Sequence, residues 1–368
     1  MGLNTAPMVP AAARAVLSGR FRFVSFYVSP AAQQRLSIMR GMSSRRLYLC
    51  ALLCSALPMP AALALAGAAS VTDELWLDPE RQRRIPVRLR WPDGTVYPGV
   101  RPVVLFSHGL GGSVDGGTVW GGAWAAAGFV VLHLQHPGSD LAAVLAVTSS
   151  FRDQRALRAA ASPAQLLARL RDVGFALDEI GRRHAAGQGR WSILRPTQIG
   201  LCGHSFGAHT TLGMAGQRYP GFEGITEPRL ASFIAFSATP PVIGDARRAF
   251  ERMTRPLLLV TGTRDSDVAG VGASAQRRME LFGYLPGGDK AQLVLQDADH
   301  MTFGGQSGGA LEIIDRVQRT RELQARHHAL VAAISTDWWR ATLQDDAAAQ
   351  DRLAAPPGLA AGDRWERK

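Results

Sequence analysis

The chain has 368 residues, 46% of them hydrophobic and 19% charged, which excludes a disordered or fibrous protein and leaves room for one large α/β domain or two smaller ones. The formal net charge of +11 points at first to nucleic acid, but residues 1–66 hold seven arginines and no acidic residue, so only +4 remains on the rest. No basic stripe runs through that remainder, so no nucleic-acid interface is expected and the excess charge reads as a targeting feature.

Residues 1–41 have no clear pattern and are expected to be a non-native or disordered leader, with Met39 or Met42 as the true start. Residues 42–66 have a basic start, an apolar middle and small residues at the end, the layout of a secretory signal. Cleavage is expected within 62–68, so the signal spans 42–68 and the mature protein is exported, periplasmic or secreted. Ser44-Arg45-Arg46-Leu47-Tyr48-Leu49 also resembles a twin-arginine signal. Pro58 and Pro60 interrupt the apolar run, so no stable membrane insertion is expected after cleavage. Cys50 and Cys54 lie in this stretch, which leaves Cys202 alone in the body, unable to form an intramolecular disulfide and expected as a small core residue.

Beyond the signal, 69–350 reads as the folded domain and 351–368 as a C-terminal tail. Val71–Leu77 and Ile85–Trp91 alternate apolar and polar residues and predict a hairpin around the charged turn 78–84. Pro102–Ser107 is a buried strand running into the glycine-rich His108-Gly109-Leu110-Gly111-Gly112-Ser113. A helix over Thr118–Ala127 and a strand at Phe129–Leu134 follow. The loop His136-Pro137-Gly138-Ser139-Asp140 leads to a loosely helical stretch, 141–160, expected as a small cap. Pro163–Arg183 is a stronger helix, with Leu166, Leu167, Leu170, Val173, Ala176 and Leu177 at three- and four-residue steps. Later elements are strands at Ile199–Cys202, Leu230–Ser237, Pro256–Thr261 and Ala291–Gln296, and helices over Ala208–Gln217, Ala275–Leu285 and Arg321–Leu343. Strands alternating with helices predict a mostly parallel sheet, with the working site at the C-terminal strand ends.

The chain is organised around Gly203-His204-Ser205-Phe206-Gly207, a G-x-S-x-G turn between a strand and a helix. A serine there sits in strained backbone with its hydroxyl exposed, and the following helix turns free N–H groups toward developing charge. Serine needs a base, and the base needs a carboxylate that fixes its tautomer. Downstream strands end in Thr261-Gly262-Thr263-Arg264-Asp265-Ser266-Asp267 and in Asp297-Ala298-Asp299-His300. Apart from His209, too close to the turn to fold back on it, His300 is the one histidine between Ser205 and the final helix, and it is the expected base. Asp265, directly after its strand, is the preferred acid, with Asp267 second and Asp297 or Asp299 more remote. The Phe206 and Leu110 amides are the expected oxyanion donors. His204 is expected to pack at the turn, His133 and His136 to face opposite sides, and Trp338 and Trp339 to pack. Without a Walker loop or dinucleotide fingerprint, no cofactor is expected.

Together FSHGLGGS (106–113), HLQHPGSD (133–140), GLCGHSFGAHT (200–210), TGTRD (261–265) and DADH (297–300) resemble the α/β-hydrolase superfamily. More narrowly they are similar to its bacterial dienelactone-hydrolase-like branch, related to platelet-activating-factor acetylhydrolase. The resemblance covers roughly 75–350. It implies the α/β-hydrolase fold, a mostly parallel central sheet flanked by helices with a small cap. It also implies Ser205 as nucleophile, Asp265 as acid and His300 as base in metal-free ester hydrolysis through an acyl-enzyme, on a small-molecule or lipid-like ester. Dienelactone hydrolases use a cysteine where this chain has Ser205, which argues against dienelactone as substrate. The alternatives are a non-catalytic binding protein on the same fold, and an amidase or thioesterase using the same residues.

Overall fold

The computed structural model describes residues 70–148, 153–266, 273–306 and 316–368. The expected leader and export signal, and the second-choice acid Asp267, lie outside the described residues. The N-terminal hairpin forms as its alternation predicts. Strands β1 (Ser70–Asp78) and β2 (Arg83–Trp91) pair antiparallel, and Asp78 Oδ1 accepts the Glu80 and Arg81 amides to hold the turn.

The remaining strands are β3 (Arg101–Ser107), β4 (Val130–Leu134), β5 (Leu194–His204), β6 (Leu230–Phe236), β7 (Leu257–Arg264), β8 (Lys290–Asp299) and β9 (Arg364–Arg367). Among the described residues they form one sheet in the order β1-β2-β4-β3-β5-β6-β7-β8-β9, parallel from β4 to β8 and antiparallel at both edges. The chain passes from β3 to β4 on one side and then returns to place β5 on the other. The sheet therefore has its topological switch between β3 and β5, where such sheets hold ligands.

The central strands are buried on both faces, so they read as continuous apolar runs rather than alternating ones. On β3, Val103 and Leu105 enter one core while Val104 and Phe106 enter the other. The first core is covered by α4 (Pro163–Ala185) and α5 (Phe206–Met214). The second is covered by α1 (Thr118–Ala126) and α8 (Gln318–Leu343), with Trp120, Trp124, Trp338 and Trp339 buried in it. Cys202 is buried in this core too, where desolvation pushes its thiol well above the usual range. Helix α4 starts at the Ser162 cap with Pro163 in its first turn, as expected of a helix whose first amides need an outside acceptor.

Residues 141–160 resolve into two short helices, α2 (Leu141–Val147) and α3 (Gln154–Ala160), each started by an aspartate whose carboxylate caps it. The remaining helices are α6 (Ala246–Phe250), α7 (Ala275–Tyr284) and α9 (Ala347–Ala354). No helix among the described residues is long and apolar enough to cross a membrane.

Three expectations need correction. The segment 351–368 is not a tail, because β9 pairs with β8 from Ala291↔Arg367 to Val294↔Arg364 and closes the sheet edge. Its polar sequence hid this, since an edge strand needs little burial. The β7 strand also does not stop at Thr261 but continues to Arg264, where the polar residues leave the core while still pairing with β8. The helix expected from Ala208 begins at Phe206, directly after the serine.

Candidate active site

Register places the three central residues before any side chain is considered. Arg264 on β7 pairs with Asp299 on β8, so Asp265 and His300 leave the sheet side by side. Ser205 follows β5, and its amide donates to Phe236 O at the end of β6 at 3.0 Å. On the other side of β5, Ser107 pairs with Gly203, which brings the loop after β3 against the serine.

The turn at Ser205 is strained. Its φ is 56° and its ψ −113°, a conformation costly for a residue with a Cβ. Glycine is forced at both flanks by backbone crowding. A Cβ on Gly203 would lie 2.3 Å from Gly207 O, and one on Gly207 would lie 1.9 Å from Ser107 O. Ser205 is the N-cap of α5, yet its side chain makes no cap hydrogen bond. Instead Ser205 Oγ lies 3.0 Å from His300 Nε2. His300 Nδ1–H donates to Asp265 Oδ1 at 2.8 Å, which leaves Nε2 free to accept from the serine.

Asp265 is fully buried, and burial alone would raise its pKa. The Arg278 guanidinium and the His300 hydrogen bond outweigh that penalty and hold the carboxyl at about 2. Arg278 Nε lies 3.1 Å from Asp265 Oδ1, and Thr261 Oγ1 donates to Oδ2 at 2.8 Å. The ionised carboxylate can therefore orient the imidazole and balance its positive charge.

The segment carrying His300 is rigidly built. Asp299 caps a short 3-10 turn, His300–Gly304, in a reciprocal box with Thr302, and Arg316 clamps its carboxylate at 2.7 Å. His204 Nε2–H donates to His300 O at 3.0 Å and the two rings pack 4.6 Å apart, so His204 packs at the turn as its position predicts. Asp297 is tied to Arg264 at 2.8 Å. Asp297 and Asp299, the remoter choices for the acid, are both spent on holding the loop.

Leu110 lies in the loop over the serine, where a Cβ on Gly109 would stand 3.5 Å from Ser205 Cβ. Among the described residues neither the Leu110 nor the Phe206 amide donates to a backbone carbonyl. His209 Nε2 is 3.2 Å from Thr239 Oγ1 and is not part of this chain of hydrogen bonds.

Sequence reasoning missed a second buried polar cluster behind that loop. Ser107 Oγ lies 2.9 Å from His136 Nε2, and His136 Nδ1 lies 2.9 Å from Asp172 Oδ2. This repeats the serine–histidine–aspartate pattern, but all three side chains are sealed from solvent, so no substrate reaches them. Burial and the nearby Arg169 charge depress His136 to about 4 despite Asp172, so its ring is neutral at pH 7. One signal was available: Arg169 and Asp172 fall on the apolar stripe of α4, where charged side chains need buried partners. His133 faces the other side of the sheet, with Nδ1 2.8 Å from Gly116 O. Among the described residues, no group of three His, Cys, Asp or Glu side chains is placed to hold a metal ion.

Neither the protein-family models nor the curated proteins include a match to this chain.

Proposed function

We propose that this chain is a serine hydrolase of the α/β-hydrolase fold that cleaves carboxylic esters of short-chain or oxidised acyl groups. One observation carries the reading: the unbroken run Ser205 Oγ, His300 Nε2, His300 Nδ1, Asp265 Oδ1, at 3.0 and 2.8 Å, assembled from three strand ends on a strained turn. In this reading His300 takes the Ser205 proton as Oγ attacks the ester carbon. Asp265 stabilises the imidazolium, and the Leu110 and Phe206 amides receive the oxyanion. His300 then protonates the leaving alkoxide. A water activated by His300 attacks the acyl-enzyme, the bond to Oγ breaks, and the acid leaves. Each oxyanion donor contributes about 3–4 kcal/mol to such a barrier.

The test combines a fluorophosphonate probe with a p-nitrophenyl ester series from acetate to octanoate. The expected result is stoichiometric labelling at Ser205, fastest turnover on the short esters, and loss of both in Ser205→Ala, with ester turnover falling by about 10⁴ or more. Labelling absent from the folded wild type, together with no ester turnover, supports the non-catalytic binding alternative. Labelling accompanied by turnover only of matched amides or thioesters moves the substrate class.

A further inference from the structure

Arg169, on the buried face of α4, makes a set of contacts that packing alone does not require. Its side chain is fully buried, and its donors go to neutral oxygens rather than to a carboxylate. Nη1 donates to His108 O at 2.6 Å, Nη2 to Gly109 O at 3.3 Å, and Nε to Ser139 Oγ at 2.8 Å. The guanidinium carbon sits 4.4 Å over the Phe206 ring. One side chain thus touches both residues that flank the serine's carbonyl-binding side, the loop before Leu110 and Phe206 itself.

The consequence follows from the planarity of the peptide group. Among the described residues no peptide is cis, so the Leu110 N–H points opposite to the Gly109 carbonyl on the same plane. That carbonyl is drawn toward Arg169 and also accepts from His108 Nδ1–H at 2.6 Å and from the Gly112 amide at 3.1 Å. His108 can donate there because its other nitrogen is occupied, with the His136 amide donating to Nε2 at 3.0 Å. His136 in turn is held by Ser107 and Asp172. A glycine peptide rotates easily, and reversal of this one would put a carbonyl where the amide should be. Arg169 acts on this carbonyl in two ways, directly and through its shorter bond to His108 O, which fixes the residue whose imidazole is the carbonyl's nearest donor.

We propose that Arg169 is a positioning residue for the oxyanion site, fixing the Gly109–Leu110 peptide so that its N–H faces the carbon bound to Ser205. The buried Ser107–His136–Asp172 cluster is then the support of that device rather than a second reactive centre. This inference rests on the esterase reading above. It assigns the Leu110 amide's orientation to a side chain that never touches substrate.

The experiment compares an ester with its thionoester, whose sulfur is a poor hydrogen-bond acceptor and gains little from an oxyanion donor. Arg169→Met and Arg169→Lys are measured on both substrates, with rates normalised to sites titrated by fluorophosphonate. Arg169→Met is expected to lower ester kcat about 100-fold, the usual effect of losing one donor, with KM changed by less than about threefold. The thionoester rate should fall far less, so the ester-to-thionoester ratio drops by about tenfold or more. Arg169→Lys keeps the buried charge but cannot span both carbonyls, and it should give an intermediate ratio if Arg169→Met does not fold. Equal losses on both substrates, leaving the ratio at its wild-type value in a folded variant, overturn the proposal while the esterase reading stands. A wild type that neither labels nor turns over the ester overturns both.

Discussion

Replacing Asp265 by asparagine tests the least obvious member of the hydrogen-bonded chain, and the structure specifies what the change does. Asp265 Oδ1 faces both His300 Nδ1–H at 2.8 Å and Arg278 Nε at 3.1 Å, while Oδ2 accepts from Thr261 Oγ1 at 2.8 Å. Arg278 Nε donates to Asp265 O at 2.9 Å and its guanidinium charge lies beside Oδ1, which favours the asparagine oxygen over its NH2 group at that position. Its amide then turns to Thr261, whose hydroxyl can accept. His300 keeps its tautomer, and what is lost is the negative charge beside the imidazolium. At an effective dielectric of about 20 and a charge separation of about 4 Å, that charge is worth roughly 4 kcal/mol, or about 10³ in rate. This is less than the loss of about 10⁴ seen where the same substitution also imposes the wrong tautomer. The assay is kcat on p-nitrophenyl acetate per fluorophosphonate-titrated site, with Asp267→Asn as the comparison, expected within about tenfold of wild type. Activity of Asp265→Asn within tenfold of wild type, or a larger loss in Asp267→Asn, would refute the reasoning.

Two further outcomes concern stability. Gly207→Ala places a methyl 1.9 Å from Ser107 O, a backbone atom that cannot swing aside. It should destabilise the fold by about 3 kcal/mol or more, whereas Gly181→Ala, with nothing within 4 Å on α4, should stabilise it by up to about 1 kcal/mol. Urea unfolding of both variants checks the pair, and a Gly207→Ala midpoint equal to wild type would contradict the crowding argument. Acid should weaken the fold through buried histidines: burial depresses His133 to about 3 and His136 to about 4, against an ordinary value of 6.5. The unfolded chain then binds more protons between pH 6.5 and these values, so stability falls as pH drops through that window. At pH 5 each histidine should cost about 2 kcal/mol, so the two together lower Tm by roughly 6 °C relative to pH 7 for a domain of this size. The Asp265 contribution, with its carboxyl held at about 2, is lost only below about pH 4. A Tm unchanged between pH 7 and pH 5 would show that these rings are protonated without penalty in the folded state.

The sequence by itself determined what local chemistry controls. Continuous apolar runs between glycine-rich turns marked the parallel strands, and the glycines flanking Ser205 marked the strained turn, because no other residue fits where backbones cross at van der Waals distance. Chain order and strand-end position were enough to choose Ser205, Asp265 and His300 for juxtaposition, and the register Arg264↔Asp299 brings the last two together. What remained hidden depends on partners far apart in the chain. The edge strand Arg364–Arg367 carries a single apolar residue, Trp365 against the core, and owes its place mainly to hydrogen bonds with β8. Arg278, which holds the Asp265 charge, and Arg169, which helps hold the Gly109 carbonyl, sit on helices whose patterns mark them only as exceptions on an apolar face. A buried guanidinium acquires its meaning from the oxygens it meets. Only the packing of α4 and α7 against the strand ends decided which oxygens those are.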